Sequence, residues 1–223
     1  MIYKVLSEGG KPCNGGSGQW HLPKGKRPGK WMPRIKDIEP CVRGYHLCDG
    51  ELQLLEWIGP TIWEAEYDGG PVREGDKIVV PRARLIRKCE HWTKHTARLF
   101  AAECAERALP IYEKEAPKDK RPRLAIEAAR KHAGGLITDE ELAAARAAAG
   151  AAAGAAAGAA TWAAAWGAAG AAAGAAAGAA AGDAAEAATW AATWAAAGDA
   201  ERQWQADLLR KLLAGEWPED GAA

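Results

Sequence analysis

The sequence predicts an α+β N-terminal domain over residues 1–92, followed by an all-α, Ala/Gly-rich helical bundle or hairpin array over residues 93–223. Three observations carry this expectation. Gly- and Pro-containing turns punctuate short β-prone runs through the first ninety residues. Beyond Thr93 the apolar residues change from a two-residue period to a helical one. From Leu142 to Arg202 a degenerate four-residue repeat appears, in which nearly every position but one in four is alanine.

Ile2 to Leu6 reads as an opening strand closed by Glu8-Gly9-Gly10, and Gly15 to Pro33 is a loop dense in Gly, Pro and Lys. Asp49 is placed to cap a short helix through Leu52, Leu55 and Trp57, stopped at Gly59-Pro60. In Ile62 to Tyr67 the alternation sets Trp63, Ala65 and Tyr67 against Glu64 and Glu66, as in a half-buried strand. Val79, Ala83 and Leu85 against Arg82 and Arg84 repeat it, with Pro81 marking an edge or bulge.

In the second half, Ala97, Phe100, Ala101, Cys104, Ala105 and Ala108 line one face of a helix over about 94–109, capped by Thr93 and ended by Pro110. Glu103 and Arg107 form an i,i+4 pair on its exposed side. Pro122 starts a second helix that stops at Gly134-Gly135. Thr138 and Glu141 make a capping box for a third. Gly182-Asp183 and Gly198-Asp199 then break the repeat, predicting helices near 139–181, 184–197 and 200–214. The last has Trp204, Leu208, Leu209, Leu212 and Leu213 on its core face. A four-residue period rotates by about 40° per repeat on a helix, so the repeat is no ordinary amphipathic stripe. Trp162/Trp166 and Trp190/Trp194, each one turn apart, read as large anchors among small residues.

Composition narrows the function classes. Lys plus Arg and Asp plus Glu number 29 each, so no global field draws the chain to nucleic acid. Five scattered cysteines without a charged-then-apolar leader suggest a reduced, cytoplasmic setting. No charge falls between Arg146 and Asp183, but Ala and Gly carry too little apolar area to drive insertion, so no membrane span is expected.

Three constellations in the first domain could carry chemistry. Cys41, His46 and Cys48, with Cys13 as a fourth ligand, offer a tetrahedral zinc donor set, against burial of ordinary thiols. Glu64-x-Glu66 resembles the paired glutamates of ADP-ribosyltransferase toxins, where one carboxylate orients the nicotinamide ribose and the other activates the acceptor. With Tyr3 and His46 they would form a transferase or nucleotide-binding site, although Lys4 stands where that pattern places arginine. Lys24, Lys26, Arg27, Lys30, Arg34 and Lys36, interleaved with Trp20 and Trp31, could grip phosphates and stack a base; the plainer reading is a solvated, flexible basic loop. His91 and His95 are four apart, but a cap at Thr93 leaves His91 outside the helix.

Residues 96–146, above all Thr96-Ala97-Arg98-Leu99-Phe100, Cys104-Ala105-Glu106-Arg107 and Asp119 to Glu127, resemble an all-helical family of immunity proteins of bacterial toxin systems. The first ninety residues, through Arg43-Gly44-Tyr45-His46-Leu47-Cys48, resemble an uncharacterised domain of phage and bacterial genomes. The first resemblance implies binding to a protein partner, a cognate toxin. The expectation is therefore a non-enzymatic interaction protein of phage or bacterial origin, with Arg121, Arg123 and Arg130 as partner-binding residues. Their alternative role is intrahelical pairing with Glu127.

Overall fold

The structure is a computed structural model and describes residues 1–156 and 198–216. It divides into two compact units, Met1–Trp92 together with the residues from Arg210 onward, and Thr93–Leu209.

The first unit is α+β. Its strands are β1 (Ile2–Leu6), β2 (Tyr45–Asp49), β3 (Thr61–Tyr67), β4 (Val72–Arg73), β5 (Ile78–Val80) and β6 (Ala83–Lys88), with the short helix α1 (Glu51–Leu55) after β2. Every pairing is antiparallel, in the order β4-β5-β2-β1-β3-β6. The run expected as one strand over 79–85 is two. Pro81 has no N–H to give a ladder, and the chain breaks there, β5 pairing with β2 and β4 while β6 pairs with β3. Only two residues separate β5 from β6, yet three strands lie between them in the sheet. Four inter-strand steps of about 4.8 Å make about 19 Å in a flat sheet. Three Cα–Cα steps reach at most about 11 Å, so the sheet curls. Its concave side holds a core of Leu6, Leu47, Trp63, Ala65, Ile78, Val80, Ala83 and Leu85, closed by Trp20 and Met32 from the loop before β2.

That loop is not the flexible segment expected. Gly29, Met32 and Ile35 donate backbone N–H groups to Leu85 (2.9 Å), Ala83 (2.9 Å) and Pro81 (2.8 Å), which covers the free edge of β6. A Cβ on Gly29 would lie 1.9 Å from the His21 carbonyl oxygen, so only glycine lets the two legs of the loop meet. The cap of α1 also differs from expectation. Gly50, not Asp49, is the N-cap, with no side-chain bond, and the helix ends before Trp57. The Asp49 carboxylate is taken instead by Arg73.

The second unit is helical: α2 (Lys94–Glu115), α3 (Arg121–Ala133), α4 (Asp139–Ala156) and α5 (Gly198–Ala214), the last turn of α5 falling in the first unit's residue range. Thr93 caps α2, its Oγ1 accepting from Thr96 N–H while Thr96 Oγ1 accepts in return from Thr93 N–H at 2.9 Å. Pro122 opens α3. Gly135, at φ +70°, closes it with bonds from Leu136 N–H to Lys131 O (2.8 Å) and Gly135 N–H to His132 O (2.9 Å), a Schellman ending. Thr138 and Glu141 form the expected capping box of α4, with bonds of 2.8 and 3.3 Å. The helix predicted over 184–197, the part of the 139–181 helix beyond Ala156 and the two Trp pairs lie outside the described residues.

The packing of α2, α3 and α4 rests on small side chains. Their shared core is Ala101, Ala102, Ala105, Leu109, Ala125, Ile126, Ala129 and Ala149. Alanine contributes little apolar area per residue, but it lets helix backbones approach closely and loses no rotamer entropy on burial. On α5, Gln205, Ala206, Leu209 and Leu212 are buried, whereas Trp204, Leu208 and Leu213 are half-buried. The apolar face is thus rotated from the one expected.

Pro110 does not end α2, which runs one and a half turns further. Proline removes one helical hydrogen bond and crowds the preceding turn, a penalty of about 3 kcal/mol. Tertiary ties hold the extension in place: buried Tyr112 donates its hydroxyl to Asp119 (2.8 Å), and Glu113 takes both forks of Arg123 from α3 (2.9 and 2.7 Å).

Candidate functional site

Helices α2 and α3 run antiparallel and are tied along their length. At one end His95 Nδ1 meets the Ala133 carbonyl at 2.7 Å. In the middle Arg130 reaches Glu103 (2.6 Å) and Glu106 on α2. At the other end stand the Arg123–Glu113 fork and the Tyr112–Asp119 bond. Arg121 closes the corner, giving Asp119 its backbone N–H (3.1 Å), its Nε (2.9 Å) and its Nη2 (2.6 Å).

The three arginines singled out from sequence therefore pair with carboxylates on α2 or in the α2–α3 corner, and none forms an ion pair with Glu127. They differ in access. Arg130 is the most enclosed, with a side chain 25% exposed, whereas Arg121 and Arg123 stand at 41% and 42%. The Glu103–Arg107 pair expected within α2 is not formed. Glu103 turns to Arg130, and Arg107 pairs with Glu201 of α5 while lying 4.6 Å from the Trp204 ring. Contacts between helices outcompete the local pair because each cation there meets a carboxylate and an apolar surface together.

The electrostatics follow the pairing. Hydrogen bonds from Arg121 hold the Asp119 carboxyl well below the usual carboxylate range, and Arg123 lowers Glu113 likewise. Burial first, and the bond to Asp119 second, push the Tyr112 hydroxyl up to about 12. These guanidinia are fixed in place and remain charged. Beside them Leu124 is 55% exposed, and Leu136, at the far end of α3, is 76% exposed. A charged, pre-oriented corner with an apolar side chain at its centre can contact another protein surface.

The constellations of the first unit come out differently. In the stretch from Arg43 to Cys48 the residues after exposed Arg43 have structural roles. A Cβ on Gly44 (φ +136°) would lie 2.4 Å from Val79 Cγ1. Tyr45 sets its ring edge against Trp20 at 5.5 Å and donates its hydroxyl to Pro33 O at 2.7 Å. Leu47 and Cys48 are buried. His46 Nε2 accepts the Cys41 backbone N–H at 3.0 Å. Burial, then the Lys4 and Lys77 charges, keep this imidazole below its usual range, so it is neutral with its proton on Nδ1. Cys13 and Cys41 are exposed, and burial pushes the Cys48 thiol up to about 12. Among the described residues no three His, Cys, Asp or Glu side chains come together as a cation site.

Glu64 and Glu66 sit opposite Arg87 and Arg84 on β6 and form cross-strand ion pairs with them, with a bulge between Glu64 and Ala65. Tyr3, beside Glu64 in the sheet, donates its hydroxyl to Glu51 of α1 at 2.8 Å. Lys4 lies on the opposite face of β1, its Nζ 3.0 Å from His46 O and 5.3 Å from the Trp20 ring. Each of the two glutamates thus has an arginine partner, Tyr3 is committed to α1, and the His46 ring is held by the Cys41 turn.

The molecule is thus a curled antiparallel sheet unit joined to a helical unit of closely packed small residues tied by inter-helix arginine–carboxylate forks. Comparison with protein families places residues 87–212, more than half of the chain, in the family described as Imm-5 like putative immunity protein, and the chain belongs to that family. No curated protein and no solved structure matches it. Among the described residues no helix is long and apolar enough to cross a membrane.

Proposed function

We propose that the protein is a non-enzymatic immunity protein that binds and neutralises a cognate bacterial toxin, and that the corner formed by the end of α2 and the start of α3 is its recognition surface. The observation that carries this reading is Leu124, a large apolar side chain 55% exposed beside the anchored guanidinia of Arg121 and Arg123, inside the family-matched region. Interface energy concentrates in apolar anchors and arginines whose geometry is fixed before binding, since little side-chain entropy is then lost. Arg130, the most enclosed of the three, serves chiefly to hold α3 on α2.

The test is neutralisation of the cognate toxin in cells. Co-expression with the full chain restores growth. The Leu124→Asp variant, changed at an exposed position, fails to restore it while keeping the wild-type melting temperature within a degree or two. Equal protection by the variant would remove this corner from the interface, and absence of protection by the wild type would remove the toxin reading.

A further inference from the structure

The strongest feature outside the proposed toxin surface is in the first unit. From Gly9 to Lys36 the chain carries seven cations and no Asp or Glu, in a protein whose overall charge is zero. Arg34 alone among them has a carboxylate partner within the described residues, Asp68. Lys24, Lys26, Arg27 and Lys30 are all exposed.

Local structure gathers these charges. Lys24 and Arg27 exchange both backbone N–H···O bonds (3.0 and 3.1 Å) around a two-residue loop, which puts their Cα atoms about 5.5 Å apart with both side chains on one side. Gly25, first in that loop, sits at φ +58°, where a II′-type hairpin takes glycine. The finger is rooted, because Trp20 and Met32 at its base are buried in the concave core, Leu22 packs against it, and Gly29 is bonded to Leu85. Three or four cations at a fixed tip lose less entropy on meeting an anion than the same residues in a loose loop. Further along the same segment Trp31 is half-buried, its ring engaged by the guanidinia of Arg82 and Arg84 at 5.0 and 4.6 Å.

We infer that this hairpin finger is a nucleic-acid contact that grips the phosphodiester backbone without reading sequence. Cations with no internal counter-charge, held together on a rooted tip, form the electrostatic footprint that tracks a phosphate backbone. The tip, Lys24-Gly25-Lys26-Arg27, carries no apolar side chain to enter a bilayer. This reading is independent of the toxin-binding proposal, since it uses only the first unit.

The test is fluorescence anisotropy of labelled oligo(dT) with the full-length protein across a salt series, alongside a Lys24→Gln, Lys26→Gln, Arg27→Gln variant. These side chains are exposed, so the variant is expected to keep its structure, which circular dichroism verifies. Wild type is expected to bind at low salt with a Kd of about 10⁻⁴–10⁻⁶ M, and the variant to lose about 2 from the slope of log K against log salt, at about 0.7 per phosphate contact on a single strand. No binding at low salt, or an unchanged slope in the variant, would overturn the inference. So would capture of phosphatidylserine vesicles without oligonucleotide, or competition by polyglutamate as effective as that by unlabelled oligonucleotide, the last pointing to an acidic protein instead.

Discussion

Removal of the Tyr112 hydroxyl isolates what keeps α2 helical beyond Pro110. The bond to Asp119 is 2.8 Å long and part-buried, and its acceptor is ionised. A hydrogen bond to a charged group is worth about 1.5–3 kcal/mol, and partial exposure brings this to about 1–2 kcal/mol. Tyr112→Phe keeps the buried ring and should lower the melting temperature of the helical unit by about 4–8 °C. The loss should be local as well: the Ala116 N–H, which bonds to Tyr112 O in the final turn, should exchange with deuterium faster in the variant than amides on the Phe100 side of the proline. The pH dependence has a definite sign. Asp119 has a folded pKa depressed by Arg121, so its contribution is complete above the unfolded carboxylate value of about 3.9 and is lost as pH falls through the lower folded value. The difference between wild type and Tyr112→Phe should be full at pH 7 and shrink only in strong acid. A Tyr112→Phe, Asp119→Ala cycle should give a coupling of about 1 kcal/mol. Additive effects, or unchanged Ala116 exchange, would refute the idea that this tie carries the helix past the proline.

Three further outcomes follow from the packing. Gly29→Ala forces a Cβ against the His21 backbone and should destabilise the first unit by more than about 3 kcal/mol, seen as a lowered urea midpoint. Ile126→Ala opens a cavity in a core built mainly of alanine, and should lose about 2–5 kcal/mol by denaturant titration, toward the upper end if the backbone cannot close in. In the native protein a thiol reagent should modify exposed Cys41 promptly and Cys13, whose thiol partial burial pushes up, more slowly. Cys48 and Cys89, whose thiols burial pushes up to about 12, and buried Cys104 should react only on unfolding, so five equivalents are reached only in denaturant.

Much of the fold was legible because several elements carry local signals strong enough to stand alone. Thr93, Thr138 with Glu141, Pro122 and Gly134-Gly135 all act at helix ends as their chemistry dictates. What escaped the sequence reading was decided by contacts distant along the chain. Pro110 reads as a stop until Asp119 and Arg123 return to hold the turns beyond it. Glu103 and Arg107 read as partners until α3 and α5 supply better ones. The Gly- and Pro-rich segment before β2 reads as a loose loop because its order comes from the edge of β6, more than fifty residues away. The site was legible in part. Arg121 and Arg123 were visible as charges, but their anchoring by Asp119 and Glu113 and the exposure of Leu124 depend on the corner's three-dimensional path. For the cysteine and histidine pattern, spacing alone does not show that Cys48 is buried in the sheet and that His46 is bonded to a turn.

The most direct test of the central claim is titration calorimetry of the full chain against the cognate toxin that the proposed function requires, with wild type and Leu124→Asp compared at equal stability. The account predicts saturable binding by the wild type and a loss of at least about 2 kcal/mol, roughly thirtyfold in Kd, in the variant. Binding of equal strength by both proteins would contradict it.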